Sequence, residues 1–262
     1  MTGRKVLERA VLPSCYENYV FDLYGTLVDI HTDEDLPQVW QKLALFLGYY
    51  GAAYQPGELE ETYHHLIAEK EKALFRERGE VYSHEASPEI EITDVFHELF
   101  TGKGIEADDA LAVHAGQLFR VESTAYVRTY PGTEALLADL NERGRKVWLL
   151  SNAQRIFTEY EMRYLAIAQY FDGILISSDY RTKKPDQRFF GQLGEQFGVR
   201  AEGTLFIGND SKADIGGAIA AGYDTFYVYS AISPEKDALL LERDGIPADY
   251  IVKDFERWEG IS

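Results

Sequence analysis

One cysteine, Cys15, stands among 262 residues, so no disulfide can close within the chain and zinc sites built on several cysteines are excluded. A reducing cytoplasm suits such a chain. Long apolar runs are also missing. The longest uncharged stretch rich in apolar residues, LALFLGYYGAAY from Leu43 to Tyr54, has 12 residues, too few to span a bilayer. The opening MTGRKVLERAVLPS lacks the continuous apolar segment of a secretion signal. Positive charge is scarce: 26 Lys and Arg stand against 44 Asp and Glu, a formal net charge of −18. That balance argues against nucleic acid and against an anionic membrane as partners. It leaves a small anionic substrate open, because charges more than roughly 8 Å away are screened at physiological salt. The histidines include the adjacent pair His64 and His65 but no His-Glu-x-x-His spacing, and they read as packed or solvated side chains.

What is present is a substantial core. Hydrophobic residues make up 45% of the chain and aromatics 13%, which excludes global disorder. The length fits one large domain, or a core carrying a smaller insertion. No repeat or low-complexity tract appears, and the pattern specifies no oligomeric state.

The periodicity changes twice. Residues 18–29 read as a strand and a turn. Residues 33–126 then read as almost wholly helical: Leu36, Val39, Trp40, Leu43 and Leu47 recur at helical spacing, as do Leu59, Tyr63, Leu66 and Ile67. Val95, Phe96, Leu99 and Phe100 mark a third helix, and Leu111, Ala115, Leu118 and Phe119 a fourth. From Tyr130 strands and helices alternate. KVWLLS, DGILIS, TLFIG and DTFYVYS are buried strands; DIGGAIAAG reads as a helix and DYIVKDF as an edge strand. Alternation of this kind predicts an α/β fold, a Rossmann-like parallel sheet with helices on both faces. Parallel strands buried on both faces are continuous apolar runs. The helical segment is then an inserted domain, residues 32–126, within a core formed by residues 1–31 and 127–262.

Ligands of such sheets bind beyond the carboxyl ends of the strands, and four strand ends carry polar residues. The first gives Asp22, the second Ser151 and Asn152. The third leads to Lys183 and Lys184, and the fourth to Asn209, Asp210 and Asp214. This set suits phosphoryl transfer. Asp22 can attack phosphorus as a carboxylate nucleophile. Ser151, Asn152 and Thr26 can hold phosphate oxygens, and Lys184 supplies fixed positive charge. Asp22, Asp210 and Asp214, with Asn209, offer hard oxygen ligands to Mg2+. The three carboxylates and one lysine leave a site of about −2, which a phosphate dianion would not enter without a divalent cation.

The ordered set DLYGT, LLSNA, KKPD and GNDSKADIGGA resembles the haloacid dehalogenase-like superfamily over essentially the whole chain after residue 18. The helical insertion is similar to that family's helical cap. The resemblance implies an aspartyl nucleophile at Asp22 and, most often, a magnesium-dependent phosphatase acting on a small phosphorylated substrate under a cap that selects it. The chain departs from the phosphatase pattern at Tyr24, where a second aspartate usually protonates the leaving group, and at Asn209, which takes an acidic position. Tyr24 therefore becomes a candidate catalytic residue, and a phenol with an ordinary pKa of about 10 is a poor base at neutral pH.

Asp-x-Tyr-Gly-Thr is also what the metal-independent 2-haloacid dehalogenase branch looks like. Against that alternative, residues 48–60 lack the cap arginine that branch uses, Phe190 stands where it has a tyrosine, and the acidic cluster would repel a carboxylate substrate. A third reading is a non-catalytic protein that binds phosphate or a partner on the same fold. The residues favour the phosphatase.

Overall fold

The short apolar run Asn18 to Phe21 becomes a strand buried on both faces, and the sheet grows outward from it. The computed structural model describes residues 4–78 and 88–262. Its strands are β1 (Lys5–Leu7), β2 (Ala10–Leu12), β3 (Asn18–Phe21), β4 (Val28–Thr32), β5 (Thr124–Thr129), β6 (Lys146–Ser151), β7 (Gly173–Ile176), β8 (Thr204–Gly208), β9 (Asp224–Val228), β10 (Tyr250–Val252) and β11 (Trp258–Ile261). Its α-helices are α1 (Pro37–Tyr49), α2 (Pro56–Glu77), α3 (Ile92–Thr101), α4 (Asp109–Ser123), α5 (Thr133–Glu142), α6 (Arg155–Tyr164), α7 (Ser177–Tyr180), α8 (Gln187–Phe197), α9 (Gly217–Ala220) and α10 (Glu235–Glu242).

Seven strands form one sheet in the order β1-β10-β9-β8-β3-β6-β7, with every pairing parallel. The α/β architecture is the one expected. Side chains alternate across the sheet, as the two-residue period of a strand requires. Tyr19, Phe21, Leu149, Leu205 and Ile207 face one layer with Leu136, Leu137 and Leu140 of α5 and Met162 of α6. Val20, Leu150 and Phe206 face the other, with Phe189, Phe190 and Leu193 of α8. Both faces are apolar, which is why these strands read as unbroken hydrophobic runs.

Helices α1 to α4 enclose a separate core. Trp40, Tyr63, Phe96 and Phe119 meet there at ring-centroid distances of 5.1–5.8 Å. Around them pack Val39, Leu43, Leu47, Leu59, Val95, Leu99 and Ala115. Each aromatic comes from a different helix, so the cluster holds the helices to one another. An antiparallel ribbon, β4 paired with β5, connects this bundle to the sheet. The expected divisions at 31/32 and 126/127 both fall inside that ribbon, and α4 runs directly into β5.

Two local expectations change. DIGGAIAAG is not one continuous α-helix: a π-helical turn spans Ser211–Gly216 and α9 follows for four residues. The wider turn lets the Asp210 carboxylate cap the Lys212 and Ala213 N–H groups while Asp214 turns back toward β8. DYIVKDF yields β10, which is not an edge strand, because β1 pairs outside it. β1 is three residues between charged neighbours and carries no periodicity to read. β11, paired with β2, likewise has no readable pattern in the sequence. It brings Trp258 onto Phe21, Phe226 and Phe255. No helix among the described residues is long and apolar enough to cross a membrane.

Candidate active site

Parallel strands put their carboxyl ends on one edge, and β3 lies between β6 and β8. The residues following these three strands are therefore neighbours although far apart in the chain. Asp22 continues the β3 ladder by one bond, its N–H donating to the Ile207 carbonyl at 2.9 Å. The chain then turns sharply. The Leu23 carbonyl accepts from Leu27 and Val28 N–H at 2.8 and 2.9 Å, and the Gly25 N–H donates to Val28 O at 2.8 Å. Gly25 has φ +86°, and a Cβ there would lie 2.1 Å from Asn209 Nδ2. Both facts require glycine. The Trp258 indole N–H donates to the Thr26 carbonyl at 3.0 Å, so the C-terminal strand holds the far side of this turn.

Lys184 is the centre of the site. Its ammonium is buried and lies 2.7 Å from Asp22 Oδ1 and 2.7 Å from Asp214 Oδ1. Burial opposes the charge, but the two carboxylates outweigh it and hold the Lys184 pKa above the ordinary lysine value. Asp214 uses its second oxygen as well: Oδ2 accepts the Asn209 and Asp210 N–H groups at 3.0 and 2.9 Å. Gly208 has no side chain because Asp214 occupies that space; a Cβ would sit 2.4 Å from Asp214 Oδ2. Thr26 Oγ1 donates to Asp22 Oδ2 at 3.4 Å.

Asp22 thus touches Thr26 and Lys184, and Lys184 touches Asp214. Ser151 closes β6 beside them in the sheet order. Its hydroxyl is fully buried and has no hydrogen-bond partner among the described residues. An unpaired buried hydroxyl costs about 1–3 kcal/mol, and an oxygen-rich ligand would satisfy it. Asn152 bonds to main chain instead. Its Oδ1 accepts the Lys184 N–H at 2.8 Å and its Nδ2 donates to the Lys184 carbonyl at 3.1 Å. It clamps the backbone that presents the ammonium. Asn209 packs its amide against Gly25 and reaches Ser230 Oγ at 3.4 Å. Phe190 belongs to the core, against Phe206 and over Gly217.

Tyr24 is not brought to Asp22's oxygens. Its hydroxyl donates to Glu161 Oε2 at 2.5 Å and lies 3.1 Å from Thr158 Oγ1, both on α6. Burial and then the Glu161 charge raise its pKa, so the phenol holds its proton. Arg120 of α4 in turn binds Glu161, Nε to Oε1 at 2.7 Å and Nη2 to Oε2 at 3.2 Å. Sequence reasoning passes over Arg120 and Glu161. The stripe Ala112, Ala115, Phe119 leaves Arg120 on the margin of a buried helix face, and that was the available signal.

No group of three or more His, Cys, Asp or Glu among the described residues is arranged as a metal cluster. A cation would therefore depend on few protein oxygens. Asp214 has none to give, since Lys184 and two N–H groups take both. Among the described residues, Asp22 Oδ2 has only the long contact with Thr26. Asp210 caps its own turn through Oδ1 and keeps Oδ2. One oxygen each from Asp22 and Asp210 fits a hard cation that takes one or two carboxylates and retains water.

The bundle meets the core again at a strap before α3. Gln154, after β6, donates to the Ile90 carbonyl at 2.9 Å and accepts the Ile92 N–H at 2.9 Å. Glu89 is buried there, accepting from Ser177 Oγ at 2.9 Å, with Lys183 Nζ at 3.8 Å. Burial raises the Glu89 carboxyl; Lys183 and Ser177 oppose it. The unfolded carboxyl loses its proton near 4.5, and the folded one only at higher pH. The folded state binds the extra proton in that window, so stability falls as pH rises through it. The Glu89→Gln variant cannot ionise. Its Tm relative to the unsubstituted protein is expected to rise as the pH is raised from about 4.5. A constant difference in thermal scans would mean that folding does not shift this carboxyl.

A family model described as haloacid dehalogenase-like hydrolase matches residues 16–222. Pyrimidine 5'-nucleotidase PynA of Streptococcus pneumoniae is 27% identical over 213 residues, 81% of this chain and 83% of that protein. Several other curated relatives align over about half of their own length. A phosphatase structure from Thermococcus onnurineus superposes with a TM-score of 0.55 at 18% identity, covering 91% of this chain and 94% of that one. The 2-haloacid dehalogenase of Pseudomonas syringae pv. Tomato superposes at 0.52 with 20% identity, covering 82% and 86%. At such identities the structural likeness concerns the fold and is equal for the two chemistries.

Proposed function

This chain belongs to the haloacid dehalogenase-like hydrolases, and on that premise we propose that it is a magnesium-dependent phosphatase of small phosphorylated metabolites. The observation that carries the reading is the Asp22 carboxylate at the end of a buried strand, paired to Lys184 at 2.7 Å. The ion pair with Lys184 holds that carboxylate in place at the strand end. The Asp22 carboxylate attacks phosphorus, the bond to the leaving oxygen breaks, and an aspartyl-phosphate forms. Water then hydrolyses that acyl phosphate, restoring Asp22 and releasing inorganic phosphate. The Ser151 hydroxyl, left unpaired by the protein, donates to a phosphate oxygen. Lys184 stabilises charge in the loose transition state.

Mg2+ would be held by Asp22 and Asp210, and when bound it supplies the positive charge that lets a dianion approach three carboxylates. Asn209 shapes the loop against Gly25, and Asn152 positions Lys184. Residues 32–126 act as the cap, with the ribbon β4–β5 as its hinge. Tyr24 provides no acid step while its hydroxyl is held by Glu161, so the leaving oxygen takes its proton from water. General acid catalysis typically contributes about 10²- to 10⁴-fold, so turnover is slow on alkyl esters and faster where the leaving group is good. The lone, exposed Cys15 suits a reducing cytoplasm.

Arg120 weighs against the dehalogenase alternative. Its guanidinium lies 5.6 Å from the Tyr24 ring centroid, but its charge is committed to Glu161 and not available to a halide or a substrate carboxylate. Purified protein is expected to release phosphate from p-nitrophenyl phosphate with Mg2+ and to lose that activity in EDTA. It is expected to release no chloride from 2-chloropropionate. Metal-independent chloride release would overturn the proposal in favour of carbon-centred chemistry. Silence in both assays from folded protein would leave a binding function.

A further inference from the structure

Glu161 touches three parts of the molecule at once. It is carried by α6 and is almost wholly buried. It accepts the Tyr24 O–H, two residues beyond Asp22, at 2.5 Å. It also holds Arg120, near the end of α4, through two hydrogen bonds. The Arg120 guanidinium lies over the rings of Tyr24 and Phe157, at 5.6 and 5.3 Å from their centroids. α4 leads without a break into β5, one half of the ribbon that joins the bundle to the sheet. Beside the contact, between α4, β5 and α6, runs a groove of about 700 Å³ lined by Val121, Tyr126, Phe157 and Tyr160. On this side the bundle also packs on α6 through Ile156 and Phe157, and Arg120–Glu161 is a charged contact within that interface.

Any hinge motion of the ribbon that lifts α4 separates Arg120 from Glu161. A buried carboxylate that loses its cation is strongly destabilised, so Glu161 would then rearrange or draw water. Its bond to Tyr24 would change with it. Tyr24 forms one wall of the nucleophile turn, bridging to Val28, and its displacement would loosen the main chain that follows Asp22. The chain of contacts is short, from Arg120 to Glu161 to the Tyr24 hydroxyl.

We propose that Glu161 is a positioning residue for the nucleophile loop and that Arg120 passes the position of the helical bundle to it, so that Asp22 is held in register only when the bundle is closed. The inference rests on the phosphatase reading for its catalytic consequence but not for the coupling itself.

Two measurements separate these. Amide hydrogen exchange of Glu161→Gln is expected to show faster exchange at residues 22–28 and unchanged exchange in β9. With p-nitrophenyl phosphate, kcat is expected to fall about tenfold with KM within about threefold, the pattern of a lost transition-state arrangement. Tyr24→Phe removes a single hydroxyl and is the milder variant; it is expected to give the same loss. The Tyr24→Phe/Glu161→Gln double variant is expected to be no worse than either single, because both break one chain of contacts. Arg120→Lys, which keeps the charge, should recover most of the kcat lost in Arg120→Gln. Unchanged exchange at 22–28 overturns the coupling whatever the kinetics, and unchanged kcat in an active enzyme overturns its role in turnover. Faster exchange in a protein that hydrolyses no phosphate ester would uphold the coupling and remove the phosphatase reading.

Discussion

Asp22→Asn is expected to abolish phosphate release, by roughly 10⁴-fold or more, as loss of a covalent nucleophile does. An amide cannot form the acyl phosphate, and no other carboxylate stands ready to replace it. Asp214, the nearest, gives both oxygens to Lys184 and to main-chain N–H groups, and Asp210 caps its own turn. The substitution should not unfold the protein. The new amide oxygen can still face Lys184, whose second carboxylate remains, and one like-charge interaction between Asp22 and Asp214 disappears. Acid quenching of the unsubstituted protein during turnover should trap phosphate on the chain, and the Asp22→Asn protein should trap none. Retained turnover with an intact fold would mean that Asp22 is not the nucleophile.

Lys184→Met carries the second large effect, this time on stability and activity together. It leaves the buried Asp22 and Asp214 without their shared cation. Breaking a buried pair in this way costs about 3–5 kcal/mol. For a chain of this size that lowers Tm by on the order of 10 °C. Turnover should vanish even at temperatures where the variant is folded. The second-site change Asp214→Asn tests the cause. Added to Lys184→Met, it removes one of the stranded charges and should recover part of the lost Tm while restoring no activity. If Tm does not recover, the loss comes from packing around the lysine, whose ammonium lies 5.5 Å from the Phe206 ring centroid, and not from unpaired charge.

Much of the fold was legible because the determining signals are local. The strands KVWLLS and TLFIG are apolar on both faces, and only a parallel sheet covered twice asks for that pattern. The bundle helices show plain stripes such as Val39, Trp40, Leu43, Leu47. β1 and β11 were not legible. They are short, with charged residues beside or within them, and they exist because a neighbouring strand offers them a free edge. Within the site, Asp22, Ser151 and Lys184 could be singled out since each lies at or just past the end of a strand or in the loop that follows one. Their spacing identifies the site and leaves each residue's partners undetermined.

The partners decided the roles. Asp210 and Asp214 look equivalent as an Asp-x-x-x-Asp pair. A π-helical turn aims one back at its own N–H groups and the other at Lys184 and the β8 loop, so only Asp210 keeps an oxygen for a cation. Asn152 follows Ser151 directly, yet it grips main chain while Ser151 stays unpaired. Tyr24 follows Asp22 by two residues and would be taken for its chemical partner, but its hydroxyl reaches a glutamate 137 residues away that an arginine from the bundle holds in place. The sheet, the bundle and the position of Asp22 were written into the order of residues, because hydrophobic period and strand order are properties of chain neighbours. Which carboxylate is free, which amide is structural and where the Tyr24 phenol points came only with folding in three dimensions, because hydrogen-bond partners are set by proximity in space between segments that no local pattern relates.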